Sequence, residues 1–118
     1  MLNQHNATEI WRQTLSDTVR DDKPDLTARQ MGLLLTVYTA SPPHTAPDLA
    51  GDLEMSKPAV TRALDTLGRM DLLRRKRDER NKRGDLIQRT IEGSVYLSEY
   101  AESNVNAATV RAKINARN

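Results

Sequence analysis

Two helix starts stand eleven residues apart in this chain: Thr45, followed by Pro47 and Asp48, and Ser56, followed by Pro58. A Thr or Ser oxygen satisfies the free N–H groups of a first turn, and proline in that turn costs nothing because its missing N–H would have no partner anyway. The spacing leaves room for a helix of about two turns from Ala46, a tight turn and a second helix. In the first, Leu49, Ala50 and Leu53 form one buried face, and small Ala50 allows a close neighbour. Glu54-Met55 makes the turn. In the second, Val60, Ala63, Leu64 and Leu67 point inward, leaving Lys57, Pro58, Thr61, Arg62, Asp65 and Arg69 outward.

That outward face has the chemistry of a major-groove reader. Arginine takes guanine O6 and N7 together, while Thr and Pro offer apolar contact to a thymine methyl. Ser56, Lys57, Pro58, Thr61, Arg62 and Arg69 are therefore the candidate recognition residues, with Arg62 the first choice for base readout. The competing reading is a merely solvated basic helix.

The next segment favours the first reading. Arg74 to Arg77, a charged turn with one Gly from Asp78 to Gly84, and Asp85 to Thr90 read as strand, turn, strand. Arg80, Lys82 and Arg83 then stand at the hairpin tip, with Arg75 and Arg77 on its approach. A basic tip suits a narrow minor groove, whose negative potential attracts arginine without a unique hydrogen-bond code. Asp78 and Glu79 brace those arginines or dilute a like-charge cluster.

Charge is concentrated in the same place. Residues 1–53 carry four Lys/Arg and seven Asp/Glu (net −3), residues 54–89 eleven and six (+5), and residues 90–118 three and three (0), which gives the chain total of +2. Such a concentration is the footprint of a phosphate-binding surface. A disordered basic tail fits poorly, because Leu72, Leu73, Leu86 and Ile87 are interleaved with the charges.

Taken in order, Thr27-Ala28-Arg29-Gln30, Asp48-Leu49-Ala50, Met55 to Arg62, Leu67, Leu72 to Arg75, Asp78 to Arg83 and Thr90 to Gly93 resemble the signature of the MarR family of bacterial winged-helix transcription regulators. The resemblance spans roughly residues 26 to 98. It implies a dimer on a pseudo-palindromic operator, with Lys57 to Met70 in the major groove and Arg83 at the wing tip. Three positions depart from the family pattern: Asp71 replaces the usual Gly before the wing, Asn81 a common acidic residue, and Arg89 the usual aliphatic before Thr90. The chain is also short for the family, whose terminal helices are usually longer.

The remaining sequence fits one small helical domain of 118 residues, its core built without Phe. Asn6 and Glu9 form a capping-box-like pair, and Ile10, Trp11, Leu15 and Val19 a stripe on a helix to about Arg20. Asp21 to Pro24 breaks it. Thr27 and Gln30 open the next helix, with Met31, Leu34, Leu35 and Tyr38 as its apolar face, and Ser41 to His44 form a solvated loop. Beyond Thr90, Leu97, Ala101, Val105, Ala108 and Ala112 give a thin stripe on a helix of about five turns, which needs cover from the first helix of its own or a partner chain.

The expected fold is α+β and mostly helical: a winged helix-turn-helix over 26–93 with a two-stranded β wing. Flanking helices at 1–24 and 94–114 would serve dimerisation. The absence of cysteine rules out disulfides and Cys-ligated zinc, and two histidines are too few for a metal site unless carboxylates join them, so no cofactor is expected. No apolar run spans a membrane and no signal peptide opens the chain, which points to the cytoplasm, on the nucleoid. No nucleophile elbow, phosphate-cradling Gly loop or HExxH helix argues for an enzyme.

The expected partners are double-stranded DNA and a second copy of the chain; no residue pattern supports a small-molecule effector. The expected function is a sequence-specific regulator, a repressor by steric occlusion. The rival is a winged helix used for protein–protein contact or for nonspecific nucleoid binding.

Overall fold

The structure, a computed structural model, describes residues 3–77, 80 and 84–117, side chains excepted at 115 and 117. Among the described residues the order is α1 (Gln4–Arg20), α2 (Ala28–Thr39), α3 (Ala46–Leu53), α4 (Lys57–Arg69), β1 (Leu73–Lys76), β2 (Leu86–Arg89) and α5 (Ile91–Arg117). This is the expected winged helix-turn-helix. The chain divides into two compact units, residues 26–95 and residues 1–25 with 96–118.

In the 26–95 unit the local signals act as read. Thr27 and Gln30 form a reciprocal capping box at α2, Thr45 caps α3 through the Asp48 N–H (3.3 Å), and Ser56 caps α4 through the Ala59 N–H (3.2 Å). Leu49, Ala50, Val60, Ala63, Leu64 and Leu67 are all buried, while Leu53 is half-buried. The apolar face of α2 is turned from the expected one: Leu33, Leu34 and Val37 fill the core, while Leu35 is exposed and Met31 and Tyr38 are half-buried. Three consecutive leucines allow either phase, and packing selects the one that faces α3 and α4.

The antiparallel wing pairs Leu73 with Arg89 and Lys76 with Leu86, and Leu73 and Ile87 send their side chains into the core. His44 is not solvated as expected but buried, at 6% exposure. Its carbonyl accepts the Ile87 N–H (2.8 Å), its Nε2 lies 3.2 Å from Ala40 O, and the adjoining Thr45 bridges to Leu86. The loop thus serves as a short extension of the sheet, a contact over 40 residues that no local pattern announces.

Tyr38 ties the wing to the start of α5. Its hydroxyl accepts the Thr90 N–H (2.9 Å) and has Leu72 O (3.1 Å) and Thr90 O (3.0 Å) as acceptors for its one proton. Gly93 is packed so closely that a Cβ there would collide with Tyr38 Oη and Leu72 O. Arg89 donates to Val37 O (3.0 Å) with its guanidinium 5.6 Å from the Tyr38 ring centroid, so a cation at a usually aliphatic position finds a π-face.

Three helices end in the same way without glycine. At α3, Glu54 N–H reaches Gly51 O and Met55 N–H reaches Ala50 O, with Glu54 at φ 51°. At α4, Asp71 (φ 58°) and Leu72 repeat the pattern onto Gly68 O and Leu67 O, and at α1, Asp22 (φ 54°) and Lys23 do so onto Val19 O and Thr18 O. These are Schellman closures, which usually take Gly at the left-handed position. The left-handed backbone at Asp71 gives the family preference for Gly there its physical reason.

In the second unit α1 begins at Asn3, not at Asn6 as expected: Asn3 Oδ1 accepts the Asn6 N–H (2.8 Å). Glu9 instead pairs with Arg12 (3.0 Å), whose hydrogen bond and charge draw the carboxyl below its usual pKa. The expected stripe is not the buried one. Trp11 is 65% and Val19 71% exposed, and Leu15 is also exposed, whereas Thr14 and Thr18 are buried. Each threonine can bond its hydroxyl to the carbonyl four residues back (both 2.9 Å), which lets its methyl group go inside at little polar cost.

α5 runs 27 residues, longer than expected. It lies antiparallel to α1, as shown by Lys23–Glu99 (3.0 Å), Thr14–Asn104 (2.6 Å) and Arg111–Asn6 (3.1 Å). Ala107 is buried against α1, but of the expected stripe only Leu97 is even half-buried, and Val105 stays exposed beside Val110 and Ile114.

Candidate nucleic-acid interface

Because Ser56 starts α4 and Val60, Ala63, Leu64 and Leu67 fix its inward face, its outward face is determined. Lys57, Pro58, Thr61, Arg62, Asp65 and Arg69 are all exposed there. Lys57 and Arg62 have no ion pair or side-chain hydrogen bond among the described residues. Arg69 is steadied by Thr66 (3.2 Å), and the Ser56 oxygen is committed to its cap. The result is a face whose cations without a partner among the described residues lie in the N-terminal half of the helix. An N-terminal end is also the end that recognition helices present to base edges.

The wing arginines divide by what holds them. Arg75 reaches back from β1 to α4, pairing with Asp65 (2.8 Å) and donating to Thr61 O (3.3 Å). It sets the wing against the recognition helix. Arg74 crosses the hairpin to Gln88 (3.3 Å). Arg77 and Arg80 are exposed beyond the strand. Lys82 and Arg83, with Asp78, Glu79 and Asn81, lie outside the described residues. No group of His, Asp or Glu suited to a metal ion occurs among the described residues.

A residue that the sequence reading did not single out shares this surface. Arg29, in the first turn of α2, faces the same cleft as Ser56, Ala59 and Arg62. The signal was present: a cation in a first turn opposes the helix dipole, which favours anions there.

A model of the MarR family matches residues 26–84, which is half of the chain, and the chain belongs to that family of winged-helix transcription regulators. Its members regulate transcription and are not enzymes. No curated protein matches the sequence. Among solved structures, S. aureus MepR bound to ethidium bromide is similar at 20% identity and a TM-score of 0.74, over 91% of this chain and 75% of that one. A MepR variant bound to an oligodeoxyribonucleotide gives 20% and 0.68 over 94% and 76%. The transcriptional repressor CouR bound to a 23-mer DNA duplex gives 20% and 0.68 over 92% and 74%. At this identity the likeness concerns the fold.

Proposed function

We propose that this chain is a sequence-specific repressor that binds a pseudo-palindromic operator as a homodimer and blocks transcription by occupying it. The observation that carries the reading is the exposed α4 face, where Lys57 and Arg62 have no side-chain partner among the described residues and stand beside Pro58 and Thr61. In this reading Arg62 reads guanine, Lys57 and Arg69 hold phosphates, and the wing residues Arg77, Arg80, Lys82 and Arg83 enter the adjacent minor groove. Arg75 acts through Asp65 to fix the wing angle. The DNA held by the MepR variant and by CouR supports the partner class. Support for the dimer comes from the exposed apolar residues of α1 and α5. Among the described residues no helix is long and apolar enough to cross a membrane, in keeping with work on the nucleoid in the cytoplasm.

The test is a salt titration of binding to DNA upstream of the gene for this protein, against a scrambled duplex of equal length. A specific regulator keeps a preference of about 10³-fold or more as salt rises. Arg62→Ala is expected to cost about 1–3 kcal/mol on the true site and to relax discrimination there, while Arg83→Ala weakens all sequences evenly. Weak, unselective binding throughout would favour the protein-contact module instead.

A further inference from the structure

Between the start of α2 and the turn leading into α4 lies an open cleft of about 760 Å³, lined by Ala28, Arg29, Gly32, Leu53 to Ser56, Ala59 and Arg62. Its charged members are Arg29, Arg62 and Glu54, a net of +1. Five arginines lie between Leu26 and Lys76. Three of them are held: Arg69 by Thr66, Arg74 by Gln88 and Arg75 by Asp65. The two without a side-chain partner among the described residues, Arg29 and Arg62, are the two that face this cleft, and both are exposed. Arg29 also stands in a helix first turn with no acidic neighbour in it, where a cation is disfavoured unless an anion joins it.

The geometry points to this cleft as a seat for one phosphate of the DNA backbone, gripped by Arg29 from one side while Arg62 turns to the adjacent base edge. The inference rests on the proposed DNA binding and adds α2 to the surface that holds the duplex. Arg29 is then a positioning anchor: it carries no sequence information and fixes the register in which α4 meets the bases. Glu54 opposes the same phosphate, which limits how tightly the cleft can hold it.

Binding of the full chain to its operator and to a scrambled duplex, measured from about 0.1 to 1 M salt, tests the assignment. Each phosphate contact contributes about 0.9 to the slope of log K against log salt, so losing one weakens binding about eightfold per subunit at 0.1 M and hardly at all near 1 M. Arg29→Ala is expected to shallow the slope by about that amount and to weaken both duplexes by the same factor. Arg29→Lys should keep most of the slope, and Glu54→Gln should tighten both duplexes. Since the Arg29 side chain bonds to nothing among the described residues and its charge opposes the α2 dipole, the thermal midpoint of Arg29→Ala should equal or slightly exceed that of the parent, which separates this effect from misfolding. An unchanged slope in Arg29→Ala, with the parent still preferring its operator, overturns the phosphate seat and leaves the DNA reading intact. A parent that shows no preference overturns both.

Discussion

The two units of this chain fill their interiors with different material. In residues 26–95, Leu33, Leu34, Leu49, Val60 and Leu67 are wholly buried, and Leu64, Leu72, Leu73 and Ile87 nearly so. In residues 1–25 with 96–118, the inside is threonine, alanine and one tyrosine, while Trp11, Leu15, Val19, Val105, Val110 and Ile114 remain in water. The first unit has a core of its own. The second is a pair of antiparallel helices with its larger apolar side chains still unburied, the pattern of a layer that needs another layer.

The hardest blow to the first unit should come from Leu67→Ala. Leu67 is 0% exposed as the last inward residue of α4, and truncating such a residue costs about 3–4 kcal/mol through lost transfer energy and the cavity left behind. Urea melts should show that loss at every protein concentration. A loss below 1 kcal/mol would mean that the site collapses easily and that the two interiors differ less than their composition suggests. Gly93→Ala should come next, at about 2–3 kcal/mol, because the new methyl group meets Tyr38 Oη and Leu72 O and must break the bonds that join them. Gly93→Ala combined with Tyr38→Phe should recover part of the loss. No recovery would put the strain on the Leu72 carbonyl alone.

Trp11→Ala probes the other side of the contrast. Truncating an exposed side chain should change single-subunit stability by less than about 0.5 kcal/mol, yet raise the dissociation constant for self-association about tenfold to a hundredfold if the tryptophan anchors an interface. Sedimentation equilibrium of the two proteins reads this directly. An unchanged constant would leave the apolar face of α1 without the role proposed for it.

The same contrast explains what the sequence made legible. The caps Thr27, Thr45 and Ser56 and the four inward residues of α4 are set within one or two turns, so local reading finds them. The wing register follows from Leu73 and Ile87, which must both face inward across a hairpin. In α1 the apolar stripe is legible but its inner face is not, because hydroxyls bonded to Ile10 O and Thr14 O make threonine a good interior residue and leave Trp11 outside. His44 misled for another reason: its place is fixed by Ile87, far along the chain. The exposure of Arg62 was legible from its helix face. For Arg29 the local signal is its place in the first turn of α2, but its neighbours are not local, since only the fold brings α2 beside the turn before α4.

The smallest effect is also the sharpest test of whether the two units unfold together. Asp71 and Asp22 hold the same left-handed position at the ends of α4 and α1, but the closing bonds are shorter at Asp71 (3.0 and 2.9 Å) than at Asp22 (both 3.3 Å). A non-glycine residue there carries a steric cost that glycine lacks, partly offset by the greater freedom of glycine in the unfolded chain. Asp71→Gly should therefore stabilise the fold by about 0.5–1 kcal/mol, since the Asp71 carbonyl that accepts the Thr90 hydroxyl (2.6 Å) is retained. If the 26–95 core unfolds as its own cooperative block, Asp22→Gly should leave the main transition where it is, because α1 will already have frayed when that block melts. Equal shifts from the two substitutions would show one cooperative block, and the contrast between the interiors would then be one of composition and not of stability.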